Sequence, residues 1–287
     1  MKNSDVIDKI LAYHPHLENY EGCDGYKAGA PEDECRGVAV ALVPTADVIE
    51  RAAKLGCNLL VTHEPIFYQT PDYPEWKGCF PNAVYEEKRS LLEKTGMTVW
   101  RDHDHMHAHR PDSIFAGVMR ELGWEDYYVP VGEFGEGFCF RFKLPEMTVG
   151  ELGTLLKEKL HLNGLKYIGD ENAVISKVAL VGHLCPGTFM EEGIAEDGYY
   201  HDYAMEIMQK MEEEGIEVII PGEIIEWTVL SYIRDAVAMG RTKACMNIGH
   251  FNLEELGMAD FAKRIAELTG DGIPVHYIPT QDGFSYL

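Results

Sequence analysis

Short, continuous apolar runs alternate with helical patterns along the first half of the chain. The run GVAVALV (37–43) is followed by a helical pattern that stops at Gly56, and CNLLVTH (57–63) gives a second buried strand. A helix over roughly 82–95 and the strand MTVW (97–100) continue this order. Strand, helix and strand at this spacing predict parallel pairing with right-handed crossovers. The sequence therefore predicts an α/β fold.

The second half shows similar βα makeup after a stretch rich in Gly, Pro and Glu near 130–137. The predicted strands are 137–144, 165–169, 175–182, 216–220 and 243–249, and the predicted helices are 147–162, 200–214, 224–239 and 252–269. We predict two α/β domains with mixed, largely parallel sheets, one over residues 1–130 and one over residues 131–287.

Composition restricts the kinds of protein that this chain can be. Of its 287 residues 46 % are hydrophobic, which is enough apolar side chain for two cores. With 48 acidic against 25 basic residues and no dense Lys/Arg run, the chain repels phosphate backbones, so nucleic acid is not an expected partner. The seven cysteines stand singly, which is typical of reduced thiols rather than a disulfide framework or a thiolate zinc site. With no apolar stretch of ~20 residues and no apolar signal core, we expect a cytoplasmic protein without membrane contact.

The first candidate site lies where the second strand ends. His63 and Glu64 are followed by Pro65, which disfavours helical backbone in the residue before it and ends the strand. Ligands of open α/β sheets collect at the carboxyl ends of strands. This position favours a binding site, although a surface histidine beside a solvated glutamate would give the same local pattern.

A run of histidines, RDHDHMHAH (101–109), follows the next strand. If the strand continued, all four imidazoles would face one side, and His103 and His107 would be ~13 Å apart. Bonds of ~2 Å between zinc and nitrogen cannot bridge that distance, so a shared ion requires the chain to turn after about His103. We predict metal binding within this run.

A third group, GHFNLEE (249–255), also stands at a strand exit. Asn252 and Glu255 fit a capping box that would start the last helix, which leaves His250 and Glu254 to point into a cleft. Taken alone, both residues are also typical of polar side chains that face solvent. His183 fits a turn histidine, and Glu223 with Glu226 fits the acidic start of a helix. Imidazole and carboxylate without thiolate at three strand exits suit zinc, manganese, iron or nickel in a catalytic site.

Several segments in this order resemble the Nif-three-like family, whose members carry a dinuclear metal centre and commonly form hexamers. The segments are CDGYKAG (23–29), VAVALVPTADVIERAAKLGCNLLVTHEPIF (38–67), the region of His103, residues 147–182, PGEIIEWTVLSYIRDA (221–236) and GHFNLEE (249–255). Some family members are catalogued as GTP cyclohydrolase 1 type 2 homologues. The resemblance implies a homohexamer with a metal site in the cleft between the two domains, to which the C-terminal segment returns.

The resemblance also implies a ligand set. The family's first motif ends in two consecutive histidines, here His63 and Glu64, and its second places a ligand Asp four residues after a His, here His107 after His103. Its last motif gives His250 and Glu254. The predicted metal residues are therefore His63, Glu64, His103, His107, His250 and Glu254. We interpret Glu64 and His107 as compensating exchanges that preserve the family's three histidines and two carboxylates, here His63, His107 and His250 with Glu64 and Glu254. The alternative is that Asp102 or Asp104 serves as the ligand through a shifted turn.

Two functional hypotheses follow from this set. Two divalent ions (Zn, Fe or Mn), with Glu254 as the bridging ligand, would activate a bridging water on a small phosphoryl, amide or ring-carbon substrate. The alternative is a non-enzymatic, oligomeric metal-binding scaffold or metallochaperone. No Gly-rich phosphate loop supports the cyclohydrolase name. A third hypothesis takes HDHMHAH (103–109) as the His-x-His pair of a metallo-hydrolase barrel or a lactamase-like fold, but the strand–helix order and the C-terminal motif fit those classes poorly.

Overall fold

The computed structural model describes residues 1–68, 82–130, 138–185, 187–196 and 198–287. Its contacts divide the chain into two compact units. Unit 1 contains Met1–Val118 with Glu255–Thr280, and unit 2 contains Met119–Glu254 with Gln281–Leu287. The predicted boundary at 130–137 lies outside the described residues except for Pro130. The domain limits 1–130 and 131–287 therefore stay a prediction.

Unit 1 is built on a mixed, largely parallel sheet. Numbered in chain order, its strands are β1 (Gly25–Ala28), β2 (Val38–Ala41), β3 (Leu59–Thr62), β4 (Thr98–Arg101) and β13 (Val275–Tyr277). Among the described residues the strand order is β1-β4-β3-β2-β13. β13, β2, β3 and β4 pair in parallel, and β1 runs antiparallel to β4. The predicted parallel pairing of the first strands is confirmed.

The helices of unit 1 begin and end at residues suited to those positions. They are α1 (Asn3–Tyr13), α2 (Ala46–Lys54), α3 (Ala83–Thr95) and α4 (Asp104–His107). Thr45 caps α2 by accepting from the backbone N–H of Val48, and Gly96 ends α3 with a φ of 62° that glycine adopts without steric cost. Apolar side chains of α2 pack against β2 and β3 in a core that includes Val48, Ile49 and Leu60.

Unit 2 contains a second mixed sheet, with strand order β5-β6-β8-β11-β12-β7 among the described residues. Its strands are β5 (Tyr128–Val129), β6 (Cys139–Thr148), β7 (Lys166–Ile168), β8 (Val174–Val181), β11 (Val218–Pro221) and β12 (Ala244–Asn247). β9 (Gly193–Ile194) and β10 (Tyr200–His201) pair to form a two-stranded antiparallel ribbon. The helices are α6 (Val149–Lys159), α7 (Tyr203–Glu213) and α8 (Ser231–Ala238). Two further helices, α5 (Ser113–Leu122) and α9 (His250–Thr269), cross the division between the units in sequence.

Two helix predictions are wrong in their details. The helix predicted at 224–239 is interrupted: a short π-helical segment, Glu226–Leu230, precedes α8, and Thr228 inside it is non-helical with φ −97° and ψ −107°. The proposed capping box of the last helix is also absent, since α9 already begins at His250. Asn252 instead donates to the carbonyl of Ile248 at 2.7 Å. The Glu255 carboxylate accepts from the backbone N–H and hydroxyl of Thr280. Tertiary contacts have thus replaced a local cap.

No helix in the described part of the chain is both long and apolar enough to cross a membrane.

Candidate metal-binding sites

Two neighbouring strand exits place the first group of histidines. β3 and β4 pair in parallel with Thr62 opposite Arg101, so both strands end at the same edge of the sheet. The backbone N–H of Asp102 donates to the Thr62 carbonyl at 2.8 Å, which continues the pairing for one residue. His63 and His103 leave the sheet side by side, and their rings stack with centroids 4.5 Å apart.

The chain turns immediately after β4. β4 ends at Arg101, and the short helix α4 follows, with the backbone N–H of His107 donating to the carbonyl of His103 at 3.1 Å. Residues four apart on a helix lie on one face, so the rings of His103 and His107 approach to a centroid distance of 4.7 Å. This is the turn that a shared ion requires.

Three imidazoles therefore form one cluster in unit 1. The His63 and His107 ring centroids are 5.0 Å apart, and one ring nitrogen from each of His63, His103 and His107 lies within 4.8 Å of the other two. His63 is fully buried, and the other two are partly exposed. Three imidazole nitrogens at this spacing are a donor set that could hold a transition-metal ion.

Hydrogen bonds at Nδ1 set the orientation of these rings. His63 pairs with the Asp102 carbonyl (3.0 Å), His103 with the Asp104 carboxylate (2.7 Å), and His107 with the Asp112 carboxylate (2.6 Å). Because each Nδ1 faces an acceptor, it carries the proton in the neutral ring and the lone pair lies on Nε2. Ligand histidines of metal sites are oriented in this way. Burial, with the neighbouring His63, lowers the pKa of His103 and so favours the neutral form that binds metal.

The carboxylate of Asp24 anchors the start of α4. It accepts from the backbone N–H groups of His103 (2.7 Å), Asp104 (3.0 Å) and His105 (2.9 Å), and it also pairs with Nδ1 of His105 at 2.7 Å. Burial alone would raise the pKa of Asp24, but these hydrogen bonds hold it below its ordinary value. A residue just before β1 thereby fixes the position of the histidine turn.

The two aspartates considered as alternative ligands are engaged by protein donors. Asp102 is buried and pairs with Nε2 of His14 at 3.0 Å. Asp104 accepts from the hydroxyl of Tyr20 at 2.7 Å and from Nδ1 of His103, whose hydrogen bond holds the pKa of that carboxyl well below its usual range. Cys23, His103 and Asp104 also have ligand atoms within 4.8 Å of one another. Burial raises the pKa of Cys23 to about 12, which disfavours the thiolate that a metal needs.

Unit 2 contains a second group around His250, the first residue of α9. Nε2 of His250 lies 3.0 Å from the carboxylate of Glu254 one helical turn later. The His183 ring lies 4.2 Å from the His250 ring, and the Glu223 carboxylate is 3.7 Å from His250 Nδ1. Ligand atoms of His183, Glu223 and His250 fall within 4.8 Å of one another, so this group could also hold a metal ion.

Nδ1 of His183 accepts a hydrogen bond, whereas Nδ1 of His63, His103 and His107 faces an acceptor. The backbone N–H of Glu223 donates to Nδ1 of His183 at 3.1 Å, and Gly222 allows this approach, since a Cβ there would lie 2.6 Å from the same nitrogen. In a neutral imidazole with Nδ1 accepting, Nε2 carries the proton. In this tautomer His183 is therefore a hydrogen-bond donor at Nε2.

The predicted site residues fall into two sets. The structure brings His63, His103 and His107 together in unit 1, and His250 and Glu254 together in unit 2. Glu64 follows His63 at the end of β3, with its side chain buried. That both sets and Glu64 serve one dinuclear centre stays a prediction.

Sequence reasoning gave too little weight to four residues: Asp24, Asp112, His183 and Glu223. Asp24 was visible as part of the CDGYKAG (23–29) motif, and Glu223 as part of PGEIIEW (221–227). Asp112 stands just before α5, where an aspartate commonly caps a helix. Because capping alone accounts for an aspartate at this position, the sequence does not indicate its contact with His107. Nothing in the spacing signals the contact of His183 with His250.

Residues 1–192 match the model of the family described as Duf34/NIF3 (NGG1p interacting factor 3). The chain belongs to this family. Two curated relatives are each named GTP cyclohydrolase 1 type 2 homolog. The one from Clostridium perfringens is 27% identical over 278 residues, 93% of this chain and 92% of the relative. The one from Clostridium acetobutylicum is 24% identical over 247 residues, 84% of this chain and 80% of the relative.

Solved structures show the same fold. The Bacillus cereus protein related to NIF3 matches with a TM-score of 0.70 at 16% identity, covering 100% of this chain and 99% of that one. Staphylococcus aureus SA1388 matches at 0.69 and 17% identity with the same coverage. Reduced HcgD from Methanocaldococcus jannaschii matches at 0.63 and 16% identity, covering 97% of both chains. The predicted Nif-three-like α/β fold is confirmed.

Proposed function

We propose that this chain is a metal-dependent hydrolase of a small molecule. The observation that carries the proposal is the arrangement of His63, His103 and His107, each with an acceptor at Nδ1, which places the proton of the neutral ring on Nδ1 and its lone pair on Nε2, as in ligand histidines. A cluster of surface histidines would not be expected to show this shared orientation, because nothing would select it.

His250 and Glu254 supply the second set of ligands in the proposal, as the family resemblance predicts, and Glu64 completes it. Divalent ions in such sites lower the pKa of bound water and polarise an oxygen of the substrate. Beside this set, Nδ1 of His183 accepts from the backbone N–H of Glu223, which places the proton of its neutral ring on Nε2. The chain's net charge of −23 disfavours a polyphosphate, so a substrate of low charge is the better match.

The relatives' cyclohydrolase name enters this proposal only as one ring-carbon hydrolysis to be tested. The name belongs to those relatives, and the described residues contain no Gly-rich loop of the kind that cradles a triphosphate. Phosphoester, amide and nucleotide substrates should therefore be screened together.

The test begins with metal analysis of protein purified without a histidine tag. We expect bound divalent metal in the parent protein and a clear loss of metal in both His63→Ala and His250→Ala. His16→Ala is the matched control, since His16 is exposed and lies outside both groups. Full metal retention by the His250→Ala protein would contradict the shared centre. Metal binding with no turnover across the screen would favour the scaffold or metallochaperone instead.

A further inference from the structure

A cavity of about 830 Å³ lies in unit 2 beside the His250 group. His250 and Glu223 form part of its wall, and three aromatic rings, Phe251, Phe284 and Tyr286, line it as well. This volume is in the range of small-molecule sites. A binding site in this cavity rests on the proposed function and concerns its substrate, because a substrate held there would lie next to a proposed metal ligand.

The aromatic rings are exposed to solvent, and a ligand in the cavity would cover them. Phe284 is 71% exposed, Tyr286 is 48% exposed and Phe251 is 46% exposed. Single exposed aromatic residues are ordinary, but three around one cavity provide several faces for stacking. A planar ring gains more from such a wall than a saturated one, because its faces can stack on aromatic side chains.

The segment that carries Phe284 and Tyr286 is held in place by defined contacts. Asn163 donates from its backbone N–H to Asp282 at 3.0 Å and from its side chain to the carbonyl of Phe284 at 2.9 Å. The Tyr286 ring packs against Gly164 so closely that a Cβ there would lie 2.7 Å from ring carbons. The aromatic wall is therefore built into unit 2.

The polar side of the cavity carries one ammonium group. Lys166 on β7 pairs in register with Asn247 on β12, so both side chains leave the same face of the sheet, and both line the cavity. No described residue forms an ion pair with Lys166. The chain as a whole has a net charge of −23, so a single lysine in the cavity favours a ligand with one negative charge over a ligand with several.

We propose that this cavity binds a small aromatic monoanion, whose ring stacks among Phe251, Phe284 and Tyr286 and whose anionic group pairs with Lys166. Asn247 can donate a second hydrogen bond to the same group.

Calorimetric titration of the full chain with 2-naphthoate tests the proposal, with 2-naphthamide as the uncharged probe and decahydro-2-naphthoate as the saturated one. We expect 2-naphthoate to bind and each of the other probes to bind at least about fivefold more weakly. Equal binding of the amide, equal binding of the saturated acid, or no binding of 2-naphthoate would overturn the proposal.

Variants locate the binding site. Lys166→Met should weaken 2-naphthoate binding about tenfold and leave 2-naphthamide unchanged, and Phe284→Leu should weaken both aromatic probes about fivefold. Tyr167→Leu is the matched control, because Tyr167 neighbours Lys166 on β7 but lies on the opposite face.

Gly164→Ala displaces the Tyr286 ring without removing a lining side chain and should also weaken binding. Its control is Gly153→Ala, where the nearest atom would be 3.8 Å from the new Cβ. Unchanged affinity in the three cavity variants would refute the assignment.

The titrations are run on both metal-loaded and chelator-treated protein. Binding that persists without metal and responds to Lys166→Met supports the cavity even if the metal-centre test fails. Binding that requires metal and ignores the cavity variants places the probe at the metal and overturns the cavity proposal.

Discussion

The Asp112 carboxylate joins His107 to the start of helix α5. One oxygen pairs with Nδ1 of His107 at 2.6 Å, and the other accepts from the backbone N–H groups of Ile114 (2.9 Å) and Phe115 (3.2 Å). The orientation of a predicted ligand is thus coupled to a helix cap. Because asparagine caps helices as well as aspartate does, the two roles can be separated by mutation.

Asp112→Asn should weaken metal binding about 10–100-fold, because an amide orients and polarises the His107 ring less well than a carboxylate. The free energy of unfolding of the metal-free protein should change by less than about 1 kcal/mol, because the cap is retained. Competition with a chromophoric chelator measures the first quantity and urea unfolding the second. Asp112→Ala, which loses both roles, is the comparison. Parent-like metal affinity in Asp112→Asn would remove Asp112 from the account of the site.

His183 is predicted to be a donor and not a ligand, so its removal should not lower the metal content. His183→Leu should retain the metal of the parent, whereas His250→Leu should lose it, because Nδ1 of His183 already accepts from the backbone N–H of Glu223, whereas His250 places an imidazole beside the Glu254 carboxylate. Elemental analysis of the two purified variants decides this. Equal metal loss in both would show that His183 binds the ion directly.

Asp24 should make the protein sensitive to acid. Its pKa in the folded chain lies below the ordinary value of 3.8, so its stabilising contribution is complete above that value and disappears as the pH falls through the lower folded value. At about pH 6, Asp24→Asn should lower the free energy of unfolding by about 1–3 kcal/mol, and the gap to the parent should narrow below about pH 4.

Urea unfolding at the two pH values measures this gap. Asp47→Asn serves as the control, because Asp47 is exposed and forms only a surface pair with Arg51, for which less than about 1 kcal/mol is expected. A gap of the same size at both pH values would mean that ionisation of Asp24 contributes nothing.

The exchange of Glu64 and His107 against the family pattern can be reversed. Glu64→His combined with His107→Asp restores the two consecutive histidines and the aspartate of that pattern. The double variant should bind metal more tightly than either single variant, because each single change alters the charge of the ligand set. The three dissociation constants, measured by the same chelator competition, test this. If both single variants bind as the parent does, the two residues do not compensate for each other.

The family resemblance predicts a hexamer. Sedimentation equilibrium at micromolar concentration should therefore give a mass about six times the chain mass of 32.3 kDa. A mass near 32.3 kDa would contradict the prediction.

Local pattern predicted most of the framework of this fold. The buried strands β2 and β3 and the glycine stop at Gly56 follow from apolar runs and backbone freedom, which are properties of neighbouring residues. The need for a turn after His103 followed from a distance, and α4 supplies it.

The capping-box prediction failed because of a long-range contact. Glu255 binds Thr280 instead of capping its own helix, and no local pattern contains that choice. The contacts of Asp24 with His105 and of His183 with His250 join residues 81 and 67 positions apart in sequence, so spacing could not reveal them. Periodicity thus located the strand exits, whereas the hydrogen-bonded supports of the ring nitrogens required three-dimensional structure.

The dependence of α4 on Asp24 limits how portable the histidine motif is. A helix of one turn cannot sustain itself in water, because nucleation costs more than a single turn returns. Residues 101–109 excised as a peptide, or grafted onto another strand exit, would lack the Asp24 carboxylate that accepts from the N–H groups of His103, Asp104 and His105. A designer who transplants this motif must therefore carry over the segment before β1 as well, and a search for similar sites should look for the aspartate together with the histidines.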